Sequence, residues 1–198
     1  MSLSLLVPPA SEPVDLARLK LRLRISDNGH DQRLSHLISA ARERVERETG
    51  RVFLTQTWLE TRDSWDGDGR LCAFATQFKL LKPPLIAVES VTITAADGSS
   101  ALWPASAYFI DSAMEPGRIV LRPDSVFPQA GRPAAGIAIR FRAGYGDTAD
   151  SVPGPLREAV EVLAASLFTD GNSNGGSIQD GLPGPVRSLI APWRRVSL

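Results

Sequence analysis

The sequence predicts an α+β fold in which a small helical bundle carries an inserted antiparallel β-rich domain and ends in a C-terminal docking tail. Two patterns and one compositional break lead to this. Apolar residues recur at helical spacing over residues 12–50 and again over 153–168, whereas residues 52–143 alternate with a period of two between glycine- and proline-rich turns. After the last helical stretch, the chain from Asp170 to Gly181 is rich in glycine, asparagine and serine, the composition of a flexible linker. The implied organisation is N-terminal helices over 1–50, a β-rich insertion over 51–146, a third bundle helix over 147–170, a linker over 171–181 and a tail over 182–198.

The first helix follows Glu12-Pro13-Val14-Asp15, an acidic start, and Leu16, Leu19 and Leu23 give it one apolar side. Ser26-Asp27-Asn28-Gly29 stops it. Asp31 is placed to cap a second helix whose stripe is Leu34, Leu37, Ile38, Ala41 and Val45 and whose end is Gly50. The opposite side of that helix holds Arg42, Glu43, Arg44, Glu46 and Arg47, with Glu43 and Arg47 spaced as an i, i+4 pair. Such a mixed-charge face suits solvent or a neighbouring subunit.

Strands are expected over Val52–Thr61, Phe74–Leu81, Val88–Thr94, Tyr108–Asp111, Arg118–Leu121 and Gly136–Ala143, because β-branched and aromatic residues cluster there between turn residues. Their short, even spacing indicates a small sandwich or barrel. A helix then starts near Pro153 or Pro155 and aligns Leu156, Val160, Leu163, Ala164 and Leu167, ending near Phe168.

Composition narrows the function. The 198 residues are 43% hydrophobic and 22% charged, with 22 basic and 22 acidic side chains, so the net charge is zero. That excludes a mainly disordered chain and lacks the basic surplus of a dedicated nucleic-acid binder. Cys72 is the single cysteine, so no intrachain disulfide forms. The apolar opening Leu3–Val7 is too short for a membrane span and lacks the basic region of a signal peptide, so no membrane association is expected.

Catalytic patterns fail on context. Gly171-Asn172-Ser173-Asn174-Gly175 has the spacing of a hydrolase elbow, but a helix precedes it and both histidines, His30 and His36, lie upstream. Asp66-Gly67-Asp68-Gly69 reads as a hairpin turn, because a calcium loop would place its bidentate glutamate on Ala75. His30 and His36 are off the spacing that lets two helical imidazoles share a metal. No catalytic residue, metal or cofactor is therefore expected. Trp58, Trp65 and Trp103 fall in the β-rich part and read as packing residues, whereas Trp193 sits in the tail beside Arg194 and Arg195. Aromatic and arginine anchors dominate many interfaces.

Several short segments in order resemble the head–tail connector (adaptor) family of long-tailed bacteriophages and gene transfer agents. They are Leu21-Arg22-Leu23-Arg24-Ile25, Val45 to Arg51, Leu54-Thr55-Gln56-Thr57-Trp58 and Leu81-Lys82-Pro83-Pro84-Leu85 with Val88-Glu89-Ser90-Val91. They continue through Pro116-Gly117-Arg118, Phe141 to Gly146, Val152-Pro153 with Leu156-Arg157, and Ala191-Pro192-Trp193-Arg194-Arg195-Val196. The resemblance implies a virion or particle neck protein, made in the host bacterial cytoplasm. It implies a homo-oligomeric ring of about a dozen subunits beneath a portal protein, meeting a stopper or other tail-proximal connector protein on its far side. DNA would pass through the channel without sequence-specific binding, which suits a neutral chain.

On this reading the tail meets the portal through Val186, Leu189, Ile190, Trp193, Arg194 and Arg195, freed by the linker, and Arg42, Glu43, Arg44, Glu46 and Arg47 face the next subunit. The alternative for the tail is that it folds back on its own bundle. The alternative function is a β-rich ligand- or glycan-binding module without catalysis.

Overall fold

The structure is a computed structural model that describes residues 1–65, 76–170 and 181–194. The chain divides into two compact units, one of Met1–Pro8 with Thr55–Tyr145 and one of Pro9–Leu54 with Gly146–Leu198. The fold class is α+β, as the two periodicities require.

In the helical unit, Asp15 caps α1 (Leu16–Leu23) by accepting the Arg18 N–H at 2.7 Å. The helix closes at Arg24 in the left-handed region, φ 58°, before the Ser26–Gly29 turn. Helix α2 (Asp31–Thr49) takes His30, not Asp31, as its N-cap; Asp31 sits inside the first turn, where its charge faces the positive end of the helix and pairs with Lys20 at 2.7 Å. Gly50 ends α2 at φ 69°, a conformation that glycine adopts without strain. Leu34, Ile38, Ala41 and Val45 are buried, but Leu37 is only half-buried and belongs to the rim of the stripe.

Helix α3 (Gly154–Asp170) buries Leu156, Ala159, Val160, Leu163 and Ala164. It packs against α2, α1 and the short α4 (Gly184–Ile190). Between α2 and the next unit, Val52, Phe53 and Leu54 are fully buried without forming a strand, and Leu54 bridges to Gly146.

Among the described residues the β-rich unit holds two antiparallel sheets. The larger has five strands in the order β1 (Ser2–Val7), β2 (Gln56–Arg62), β8 (Ile137–Ala143), β4 (Leu85–Thr94) and β5 (Ser100–Leu102). The smaller orders β3 (Gln77–Lys79), β7 (Arg118–Leu121) and β6 (Tyr108–Asp111). Residues 2–7, counted with the helices from sequence, are thus an edge strand, and Ser100–Leu102 is a further strand that the period-two pattern did not reveal.

Strand β8 shows the alternation plainly: Ile137, Ile139, Phe141 and Ala143 are buried, while Arg140 and Arg142 point outward. An aromatic cluster joins the two sheets. Trp65 contacts Phe78 of β3 at 5.1 Å and Phe127 at 4.7 Å, and Trp103, just after β5, stacks on Tyr108 of β6 at 4.6 Å. The Trp65 indole N–H donates to the Pro128 carbonyl at 2.8 Å, so its polar atom is satisfied. At the Pro116-Gly117-Arg118 turn a Cβ on Gly117 would overlap the Leu85 side chain, so the position accepts glycine only.

Asp111 organises the β6–β7 turn. It accepts from the Arg118 guanidinium at 2.8 Å and from the Ala113 N–H at 3.2 Å. The hydrogen bond from Arg118 is the main cause that holds its carboxyl below the ordinary value. A depressed carboxyl contributes stability above its unfolded-chain pKa, about 3.9, and loses it as pH falls through the lower folded value. Asp111→Asn therefore lowers the melting temperature near neutral pH, and the variant and parent curves converge in acid; a gap independent of pH contradicts this.

In the core, Leu163→Ala should cost about 2–5 kcal/mol in urea unfolding, with Leu37→Ala costing clearly less.

Candidate functional site

The charges of α2 divide into two sets. Arg42, with its side chain 7% exposed, donates from Nε to Glu12 at 2.7 Å and from Nη1 to Glu46 at 3.0 Å. The second oxygen of Glu46 accepts the Phe53 N–H at 2.8 Å. Burial opposes the Arg42 charge, but the hydrogen bond to Glu12 and the fields of Glu46, Glu12 and Glu43 outweigh it and raise its pKa. Arg42 and Glu46 are thus internal struts, which corrects their assignment to a subunit face. Glu43 and Arg47 are exposed and Arg44 is half-buried, so these three remain on the surface.

The tail corrects a second expectation. Val186 and Ile190 are fully buried and Leu182 nearly so, because their i, i+4 spacing gives α4 one apolar stripe, and α4 packs on α3. Leu189 and Trp193 are half-buried and Arg194 is exposed. Arg51 places its guanidinium over the Trp193 ring at 5.4 Å and donates to the Trp193 carbonyl at 3.0 Å, while Arg194 pairs with Glu48 at 2.8 Å. Arg195 lies outside the described residues. Residues 182–194 are a folded part of the helical unit, so Val186 and Ile190 offer no free apolar surface. Arg51 and Glu48, which hold the end of the tail, escaped the sequence reading; only the stripe Leu182, Val186, Ile190 signals that the tail is a core element.

A second ionic cluster joins α1 to α3. Glu161, with its side chain 5% exposed, accepts from Arg18 Nε at 2.5 Å and from Arg22 Nε at 2.6 Å. Glu158 pairs with Arg22 as well. The hydrogen bond to Glu161 leads the causes that raise the Arg22 pKa. Arg18, Leu21, Arg22 and Glu161 line an open hollow of about 540 Å³. Both Glu161 oxygens are engaged by guanidinium groups, so the hollow offers neither a free base nor a nucleophile.

The remaining chemical candidates stand apart. The His30 ring meets Phe168 edge-on at 5.4 Å, and His36 is exposed. Ser173 with its glycine pattern, Asp66–Gly69 and Cys72 lie outside the described residues. Among the described residues no three His, Cys, Asp or Glu side chains are grouped to hold a metal, and no helix is long and apolar enough to cross a membrane.

These features define a two-unit α+β protein whose buried charges pair internally. Residues 13–101 match the model of the phage gp6-like head-tail connector proteins. Three solved structures share the fold over 100% of this chain and 97% of theirs. One is from the neck of an empty gene transfer agent particle computed with C6 symmetry, with a TM-score of 0.81 and 22% identity. Another is from the virion of a native gene transfer agent particle, at 0.80 and 19%. A third is from the neck of a native particle computed with C12 symmetry, at 0.74 and 21%. No curated protein sequence matches the chain.

Two variants test these assignments. Arg42→Met removes the buried cation that pairs with both Glu12 and Glu46 and should cost about 3–5 kcal/mol in urea unfolding, against near zero for the exposed Arg47→Met. A chain ending at Gly181 loses three buried aliphatic side chains from the bundle and should lose on the order of 5 kcal/mol, not remain a fully stable domain.

Proposed function

We propose that the chain is a structural subunit of a head–tail connector. Identical copies form a ring beneath a portal protein, extend the channel for DNA and offer the attachment platform for a stopper or other tail-proximal connector protein. The observation that carries this reading is the end-to-end fold likeness to a chain of a gene transfer agent neck, with the family match over residues 13–101 beside it. The particle neck is the location that follows.

Three physical features support the role. The net charge is zero, so DNA meets no overall basic surface that would retain it by counterion release. The outward Arg140 and Arg142 of β8 share Glu89 at 2.6 and 3.5 Å, which neutralises part of their charge in place. The ionic and apolar seams of the bundle give a rigid part for assembly, and the reading requires no catalysis, metal or cofactor.

With Val186 and Ile190 used internally, we assign portal contact to the outward side of the tail, at Leu189, Trp193 and Arg194, and retain Arg195, which lies outside the described residues, from the sequence alone. Glu43, Arg44 and Arg47 supply polar rim contacts to a neighbouring subunit.

Imaging of particles that contain this chain tests the proposal: density for the chain as a ring at the head–tail junction is expected, and density elsewhere overturns it. Arg194→Glu should leave the melting temperature within a degree or two of the parent, since a partly exposed pair with Glu48 contributes about 0–1 kcal/mol, yet reduce attachment to portal-bearing heads. Unchanged attachment removes Arg194 from the portal contact.

A further inference from the structure

We propose that strand β1 is the seam between copies of this chain, docking on the β6 edge of the next copy at Phe109 and Ile110. The inference rests on the ring reading above and gives that ring a specific contact.

Among the described residues, strand β1 ends the five-stranded sheet and pairs with β2 on one side only. Exposed sheet edges are normally guarded by charge, proline, a short length or a covering segment. The sequence Ser-Leu-Ser-Leu-Leu-Val has no charged residue, proline or glycine and runs for six residues. A strand with one wet face should alternate apolar and polar. Here Leu5, Leu6 and Val7 are consecutive and 45%, 43% and 49% exposed, with a register irregularity between Leu5 and Val7. Apolar side chains therefore meet water on both sides of an open edge, an arrangement that assembly would bury.

The same unit supplies a matching surface. Strand β6 ends the three-stranded sheet, and its Phe109 and Ile110 are 47% and 36% exposed. The Arg122 guanidinium lies 3.7 Å from the Phe109 ring centroid and holds that ring in place. The far edge of the larger sheet, β5, has only three residues. A β1–β6 contact joins two different patches and so propagates by rotation, as a cyclic ring requires, whereas β1 against β1 stops at a two-fold dimer.

Sedimentation velocity of the full chain over a wide concentration range tests this, with circular dichroism checking the fold. The wild type should associate beyond a dimer, and Leu6→Glu/Val7→Glu and Phe109→Glu should each weaken association about thirtyfold or more. The same oligomer from wild type and folded variants overturns the seam and leaves the ring. A wild type that stops at a dimer abolished by the β1 variant indicates β1 against β1 and overturns the β6 contact. A wild type that stays monomeric throughout overturns ring formation by the chain alone, and the seam with it.

Should the charged variants misfold, cysteine pairs decide in a Cys72→Ser background. Leu6→Cys mixed with Phe109→Cys should give disulfide-linked heterodimers on mild oxidation, and a yield no higher than for Leu6→Cys mixed with His36→Cys overturns the contact.

Discussion

The helical unit depends on the paired burial of one guanidinium. Arg42 bridges Glu12, which precedes α1, and Glu46 one turn further along α2, and Glu46 in turn receives the backbone N–H of Phe53. A buried charge that loses its partner is expensive, so the three segments hold one another in a single register. The entry into α1, the long helix and the segment leaving the bundle are all set by that cluster. Leu54 and Gly146 then close the bundle where the β-rich insertion leaves and returns.

Two kinds of attachment follow. Helices α2, α3 and α4 meet through aliphatic side chains, with Ile38, Val45, Leu163, Val186 and Ile190 among those out of water. Helix α1 buries only Leu19 and is tied to α3 by Arg18 and Arg22 on Glu161. Hydrophobic burial is roughly additive with area, whereas the ionic clamp fixes geometry through directed hydrogen bonds.

The periodicity of the sequence made most elements legible. Tyr108–Asp111 and Arg118–Leu121 coincide with their expected strands, and the end of α2 at Gly50 follows from glycine's access to positive φ. Strand β1 was hidden because Leu5, Leu6 and Val7 run consecutively instead of alternating, and its partner β2 lies far along the chain. The internal role of Arg42 was hidden because its partner Glu12 lies 30 residues away and charged helical positions ordinarily face water. The tail was misread because a glycine-rich stretch suggests independence, while the side chains that receive α4 belong to a helix earlier in the chain. Composition thus located the pieces, and long-range pairing decided which of them were surface.

That the C-terminal segment is a constituent of the helical unit is the claim on which the proposed portal contact turns. Amide hydrogen exchange of the full chain tests it directly at Ser188, Leu189 and Ile190 of α4. The account predicts protection comparable with the centre of α3, because opening α4 exposes Val186 and Ile190 to water. Exchange at the rate of an unstructured peptide, with α2 and α3 still protected, would contradict it.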